Sequence, residues 1–220
     1  MSVRRLAVAV FAAALLVGGQ AASADPIVSA GDSVKFGNGP GDAGGGEFIL
    51  SVNNVWSFIT FCLQRTEYVD YTNAFTVDSV NPYTLTDPTA NGGDGSGRDS
   101  ISEQTAYLYT KFRQGTLAGY DYTGANHVAS ADTLQRAFWM LEQELPMDAT
   151  NPFVILANNA VSSGEWDGIG NVRVLNLSRG VGRNYTEAQD QLTLVPEPAS
   201  MALLALGAGV VVARRRRPRA

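Results

Sequence analysis

The side chains able to do chemistry in this 220-residue chain are few, and the most conspicuous is its single cysteine, Cys62. An internal disulfide needs two cysteines, so Cys62 is a buried small hydrophobe, an intermolecular disulfide partner or a reactive thiol. Free cysteine is among the most buried residue types, which favours the first of these. The one histidine, His127, has no partner at metal-ligand spacing. Because G-x-S-x-G, H-E-x-x-H and P-loop motifs are also missing, we expect no multi-turnover enzyme, no metal and no cofactor.

Two short motifs, one around Cys62 and one around Gln135, indicate a specific reaction. Cys62 stands between Phe61 and Leu63 in an apolar stretch, and residues 134–139 read Leu-Gln-Arg-Ala-Phe-Trp. This pairing resembles the thioester domains of Gram-positive surface adhesins, where a cysteine after an aromatic or aliphatic residue joins the glutamine of an apolar-Gln-x-Ala-apolar-Trp motif. The resemblance implies that Cys62 supplies the sulfur and Gln135 the acyl carbon of an internal thioester, formed with loss of ammonia. The pocket would be lined by Phe61, Leu63, Leu134, Ala137 and Trp139.

The motif around Gln135 also has ordinary structural explanations. Asp132 followed by Gln135 three residues later fits a capping box at a helix start, and Trp139 fits a core residue beside an apolar stripe. The chemistry is physically reasonable all the same, because a fold that holds a thiolate and an amide in near-attack contact promotes their reaction. Export also removes the glutathione pool that would open the bond. Such a domain would attach itself once to an amine or hydroxyl, without turning over.

The elements that would position these side chains are strands on either side of a helical middle. Strand-like patterns cover residues 47–52, 57–64, 68–69, 74–77, 171–177 and 191–195, and the stretch 57–64 is apolar enough for burial on both faces. Helices are predicted over about 100–115, 131–145 and 151–159. The glycine-rich residues 31–46 and the turn-rich residues 81–98 are predicted to be irregular. The class is α+β, a β-rich sandwich or barrel-like domain with two or three helices inserted in its middle.

Residues 195–220 form a separate C-terminal segment of three parts. Val195-Pro196-Glu197-Pro198 is kept extended by its prolines, an apolar stretch (199–213) follows, and the basic tail (214–220) is rich in arginine. The apolar stretch is shorter than the ~20 residues of a comfortable membrane span, and the arginines mark the cytoplasmic side. A tail-anchored transmembrane helix is one interpretation.

The same order of parts resembles the PEP-CTERM sorting signal of surface proteins of Gram-negative bacteria. The resemblance implies that an exosortase, a membrane transpeptidase, cuts near the Pro-Glu-Pro and removes the transmembrane segment and basic tail. It also implies a setting of exopolysaccharide and biofilm production, because sorting of this kind tends to accompany both.

The N-terminus has the pattern of a secretory signal peptide. Arg4 and Arg5 precede an apolar core at 6–17, and Ala22 and Ala24 form an A-x-A cleavage site, so signal peptidase would remove residues 1–24. The exported domain is then 25–194, held briefly in the inner membrane with a cytoplasmic C-terminus before it reaches the cell surface or the exterior. Trimming to residues 25–198 leaves nine basic and 21 acidic residues, and a surface this acidic excludes nucleic acid as a partner.

Two functions are compatible with these features, and neither is enzymatic. The first is a covalent adhesin whose thioester captures an amine or hydroxyl on a surface or matrix polymer, polysaccharides included. The alternative is a non-covalent structural or saccharide-binding component of an exopolysaccharide matrix. In that alternative the stacking faces would come from aromatic side chains, namely Tyr107, Tyr109, Tyr120, Tyr122 and Trp166.

Overall fold

The computed structural model describes residues 27–41, 45–85, 95–180 and 186–196. Its main sheet is antiparallel and has the strand order β3-β2-β1-β4-β7-β8, while β5 and β6 pair in a separate ribbon. The helices α1 to α3 lie between β6 and β7 in the chain, so the α+β class with helices inserted in the middle is confirmed. The bounds are β1 (Ser33–Asn38), β2 (Phe48–Val52), β3 (Trp56–Thr60), β4 (Ala74–Asn81), β5 (Tyr83–Leu85), β6 (Arg98–Ser100), α1 (Glu103–Arg113), α2 (His127–Leu141), α3 (Pro152–Ser162), β7 (Val172–Arg179) and β8 (Thr186–Leu194).

The two ends of the main sheet meet at residues 61–63, which we call the seam. β3 ends at Thr60, but the chain continues beside β8: the backbone N–H of Leu192 donates to the carbonyl of Phe61 at 3.0 Å, and that of Leu63 donates to the carbonyl of Asp190 at 3.1 Å. Cys62 forms an antiparallel bridge with Gln191 between these two bonds. The first and last strands of the sheet order are therefore joined, which gives the sheet a barrel-like closure.

The seam divides the interior into two hydrophobic clusters. The helix-side cluster contains the buried faces of α1, α2 and α3 together with Phe61 and Leu63. The sheet-side cluster contains the inner faces of β1 to β4 together with Cys62 and Trp139. Successive residues of an extended chain point to opposite sides, so Cys62 faces away from its two neighbours. This alternation separates the only sulfhydryl of the chain from the helical core that surrounds Phe61.

The start of α1 differs from the prediction by two residues. The helix is predicted to begin at about residue 100, but Ser100 pairs with Tyr83 in the β5–β6 ribbon and is not part of the helix cap. The N-cap is Ser102, whose hydroxyl accepts a hydrogen bond from the backbone N–H of Thr105 at 3.1 Å. The backbone N–H of Ser102 in turn donates to Glu142 at the end of α2. The acceptor for the backbone N–H of the N-cap residue is therefore the carboxylate at the C-terminal cap of α2, and not a side chain in the first turn of α1.

The start of α2 also differs from the prediction, because the helix begins at His127 rather than near residue 131. The Asp121 carboxylate accepts the backbone N–H groups of Gly124 at 2.6 Å and Asn126 at 3.0 Å, and this turn leads directly into the helix. Asp132 consequently lies inside α2. The capping-box explanation of Gln135 is therefore wrong.

Helix α3 begins as predicted, with Pro152 in its first turn. The side chain of the N-cap Asn151 accepts the backbone N–H of Phe153 at 3.0 Å. The helix ends at Ser162, three residues beyond the predicted end, and its last turn still contributes the buried Ala160 to the helix-side cluster.

Several strand predictions need correction. The stretch 57–64 is not one strand buried on both faces: β3 stops at Thr60, and Ile59 is 39% exposed because no layer covers that face. Tyr68 and Val69 form no strand, and the Tyr68 side chain is largely exposed. The glycine-rich region 31–46 contains β1, and the predicted loop 81–98 contains β5 and the start of β6. The sandwich alternative is not observed in the described part of the chain, where one sheet closes on itself.

Within the described residues, no helix combines the length and apolar character needed to cross a membrane. The predicted signal peptide with its cleavage residues Ala22 and Ala24, the motif residues Glu197 and Pro198, and the predicted transmembrane segment 199–213 lie outside the described residues.

Candidate functional site

The side-chain amide of Gln135 lies directly against Cys62 at the seam. Its Oε1 accepts the backbone N–H of Cys62 at 3.2 Å and lies 3.3 Å from the Cys62 Sγ. Its Nε2 donates to the backbone carbonyl of Cys62 at 2.8 Å. Both residues are buried, with 0% of Cys62 and 1% of Gln135 exposed. The structure therefore brings together the two residues that the motifs selected.

The geometry of the seam explains why Cys62 has its backbone groups free for Gln135. In an extended chain the N–H and C=O groups of successive residues point to opposite sides. The carbonyl of Phe61 and the N–H of Leu63 form hydrogen bonds with β8. The N–H and C=O of Cys62 therefore point away from β8, toward α2. Buried backbone groups need partners, and the Gln135 amide supplies both of them. The two hydrogen bonds fix the rotation of the amide relative to the sulfur.

This arrangement places a hydrogen-bond donor and the cysteine sulfur on the same amide oxygen. The Cys62 N–H bonded to Oε1 stabilises negative charge on that oxygen, as an oxyanion-hole donor does. The sulfur also contacts this oxygen at 3.3 Å, so it lies beside the carbonyl group that it would have to attack. Burial raises the pKa of the Cys62 thiol; the Trp139 side chain partly offsets this and the Glu144 charge adds to it. An unreacted thiol here is therefore protonated and shielded from reagents in solution.

Gly45 closes the site on the side of the glycine-rich region. A Cβ on this residue would lie 2.7 Å from Cγ of Gln135 and 2.7 Å from Cη2 of Trp139. Both neighbours are buried, so only glycine fits without displacing one of them. The sequence did not indicate a role for Gly45. A run of glycines predicts irregular backbone, but it does not show which glycine lies against a buried side chain.

The five residues predicted to line a thioester pocket fall into two groups. Trp139 shares the sheet-side cluster with Cys62. The other four lie in the helix-side cluster, where Phe61 packs against Phe112 and Phe138 at ring-centroid distances of 5.0 and 5.2 Å. That group consists of Phe61, Leu63, Leu134 and Ala137. These side chains fix the backbone of the seam and of α2.

A second polar cluster near the site was not predicted. The Glu47 carboxylate, 4% exposed, accepts a hydrogen bond from the Tyr120 hydroxyl and lies 2.7 Å from Nε2 of His127. Burial and the bond to Glu47 raise the pKa of Tyr120. Glu47 is two residues beyond Gly45, so this cluster attaches the segment that covers Gln135 to the start of α2. The lone histidine acts here as a structural contact.

The aromatic residues expected to offer stacking faces do not do so. Tyr107, Tyr109 and Tyr120 are buried, and Tyr122 and Trp166 are half-buried against the helix-side cluster. Their hydrophobic area is used in packing within the domain. The prediction of a saccharide-stacking surface from these five residues is therefore wrong.

Carboxylates surround the segment that follows the seam, and one of them gives a testable pH dependence. Burial, together with the charges of Glu187 and Glu144, raises the pKa of Glu67 to about 7 from 4.5. Because the folded-state pKa is the higher one, the folded chain binds the proton more tightly than the unfolded chain. Stability contributed by protonated Glu67 is thus present below pH 4.5 and is lost as the pH rises to about 7.

We expect Glu67→Gln, which keeps an acceptor for Gln64, to reduce this loss of stability. Because Glu67 is only partly buried, solvent screening limits the gain at about pH 8 to about 1 kcal/mol. Urea unfolding between about pH 4.5 and 8 measures the effect. Glu165→Gln, which neutralises an exposed carboxylate, is the control and should leave the slope unchanged. Identical pH slopes for Glu67→Gln and the unmodified protein would contradict the assignment.

Comparison with known proteins finds a family match in the C-terminal segment. Residues 194–217 match the PEP-CTERM protein-sorting motif, beginning at the last residue of β8. The motif confirms the sorting-signal prediction and supports an exported protein that an exosortase processes at the membrane. The chain matches no curated protein and no solved structure. A folded α+β domain with a buried Cys–Gln contact thus precedes an exosortase sorting motif.

Proposed function

We propose that this protein is a covalent adhesin of the cell surface or extracellular matrix, with an internal thioester between Cys62 and Gln135. The observation that carries the proposal is the buried contact at 3.3 Å between Sγ and Oε1, with the amide held by two hydrogen bonds. The resemblance of the two short motifs around Cys62 and Gln135 to those of thioester domains motivates it from the sequence. The sorting motif supports a location outside the inner membrane, where such a bond escapes cytoplasmic thiols.

The proposed reaction has two balanced steps. In the first, the Cys62 sulfur attacks Cδ of Gln135, the carbon–nitrogen bond breaks, and Nε2 leaves as ammonia with the thiol proton. In the second, an amine or hydroxyl of the partner attacks the same carbon and the carbon–sulfur bond breaks. The partner's displaced proton then goes to the sulfur, which again becomes a thiol.

The product is an amide or ester between Gln135 and the partner, so each molecule reacts once. No described group is placed to remove the partner again, and the protein acts as a single-use attachment and not as an enzyme. The acidic exported domain favours neutral or cationic partners over anionic ones. An amine- or hydroxyl-bearing matrix polymer, such as a polysaccharide, fits this chemistry. The non-covalent alternative has lost its proposed stacking faces to the core.

Intact mass of the purified exported domain tests the proposal. We expect a deficit of one ammonia relative to the sequence, replaced on methylamine treatment by the mass of the added amine. Cys62→Ala and Gln135→Ala should each abolish both the deficit and the methylamine adduct completely. A full sequence mass for the unmodified domain, with Cys62 alkylated only after unfolding, would show that the Cys–Gln contact is a structural hydrogen bond and would end the proposal.

A further inference from the structure

The indole N–H of Trp139 is buried and has no hydrogen-bond partner among the described residues. Only 4% of the residue is exposed, so water does not supply the missing acceptor readily. An unpaired buried donor is destabilising and uncommon, so this one requires a reason. By contrast, Trp166 donates its indole N–H to the carbonyl of Gly168 at 2.9 Å.

Three observations place Trp139 beside the Cys62–Gln135 pair. It follows Gln135 by one helical turn, so both side chains lie on the same face of α2. Both side chains rest on Gly45, whose added Cβ would be 2.7 Å from each. Trp139 and Cys62 also belong to the same buried cluster. The indole ring is therefore a wall of the site, and its unpaired N–H lies within that wall.

We propose that the Trp139 indole N–H stabilises the Cys62 sulfur as negative charge develops on it during opening of the thioester. The inference rests on the function proposed above. When the amine nitrogen bonds to Cδ of Gln135, the carbon–sulfur bond breaks and its electron pair goes to Sγ. Sγ then accepts the indole hydrogen bond until the proton released by the amine reaches it.

The energetic argument is differential stabilisation. A donor that makes no well-formed hydrogen bond in the resting state and a strong one in the transition state lowers the barrier more than it stabilises the starting state. A sulfur in a thioester is a poor acceptor, whereas a thiolate is a strong one. The Trp139 side chain already lies close enough to the Cys62 thiol to lower its pKa by weak hydrogen bonding, against the larger rise caused by burial, so the indole N–H is on the side of the sulfur.

The first test compares rates of methylamine opening, followed by intact mass, in the full exported domain. Trp139→Phe keeps an aromatic wall and removes the N–H, and we expect opening to slow by about 10²-fold or more. Trp166→Phe also removes a tryptophan N–H, but away from the site, and should open at the unmodified rate. Equal opening rates for Trp139→Phe and Trp166→Phe would overturn the inference while leaving the thioester intact.

The second test does not require that the thioester forms. The chain has three tryptophans, so a nitrogen–proton correlation spectrum shows three indole signals, and Trp139→Phe identifies one of them by its loss. Cys62→Ala should shift the Trp139 signal and leave those of Trp56 and Trp166 in place. An unmoved Trp139 signal would show that its N–H does not face the sulfur and would refute the inference. A missing ammonia deficit alongside a clear shift would instead refute only the proposed function.

Discussion

Gly45→Ala is expected to prevent formation of the Cys62–Gln135 bond, although residue 45 takes no part in the reaction. The new methyl group would lie 2.7 Å from both the Gln135 stem and the Trp139 ring, a distance that real Cβ atoms do not adopt. Gln135 is the more flexible neighbour, so its amide should be displaced from the two hydrogen bonds to Cys62. Overpacking of a buried site also costs about 1–3 kcal/mol of folding stability.

The measurement is intact mass before and after methylamine, combined with urea unfolding. We expect the full sequence mass, no methylamine adduct, and a free thiol in the folded variant. Gly37→Ala is the matched control, because its nearest contact is Cβ of Ile49 at an ordinary 3.4 Å. That variant should keep the deficit and lose no stability, since alanine suits a strand better than glycine. If the Gly45→Ala protein kept the mass deficit of one ammonia, the segment around residue 45 would be able to move away from Gln135, and the prediction would be wrong.

The contact between Cys62 and Gln135 could be predicted from the sequence because its signal is local. A cysteine between two apolar residues and a glutamine in an apolar-Gln-x-Ala-apolar-Trp context are each short patterns. The helical middle could be predicted for a similar reason, since periodicity and the Asn151-Pro152 start are local signals. The sorting segment is recognisable because its three parts stand in a fixed order.

The parts that sequence reasoning missed depend on contacts between distant segments. Nothing near Cys62 indicates that β3 and β8 meet there, because closure of a sheet depends on the twist of every strand between them. The extra turn at the start of α2 follows from the backbone N–H groups that the Asp121 carboxylate accepts, which the periodicity of the helix does not indicate. Aromatic residues have the same composition signal in a core as on a surface, so the buried tyrosines were assigned to the wrong environment.

The closed seam implies that exposure of Cys62 is coupled to unfolding of the helical core. Phe61 is fully buried between Phe112 and Phe138, while its carbonyl accepts the Leu192 N–H that joins β8 to the seam. Cys62, the next residue, faces the opposite cluster. Loss of packing on one side of this short segment is therefore expected to expose Cys62 on the other.

Phe61→Ala is accordingly expected to destabilise the domain by about 3–5 kcal/mol, the usual cost of removing a buried phenylalanine ring. Ile59→Ala, two residues earlier and 39% exposed, is the control and should cost less than about 1 kcal/mol. Urea unfolding of both variants provides the comparison. Similar costs for the two would show that the seam is not anchored by the helix-side cluster.

The coupling between the two sides can be measured separately in a Gln135→Ala background, where Cys62 is a free thiol. Alkylation of a buried thiol proceeds through opening of the structure, so its rate follows the population of the open form. If packing of Phe61 opposes the opening that exposes Cys62, adding Phe61→Ala should accelerate alkylation by about 10²-fold or more. The factor follows from the expected loss of stability, because each 1.4 kcal/mol changes the population of the open form about tenfold. Adding Ile59→Ala should accelerate it by less than about tenfold. A Phe61→Ala variant that is strongly destabilised yet alkylated at the background rate would mean that Cys62 becomes accessible by a local route independent of the helical core.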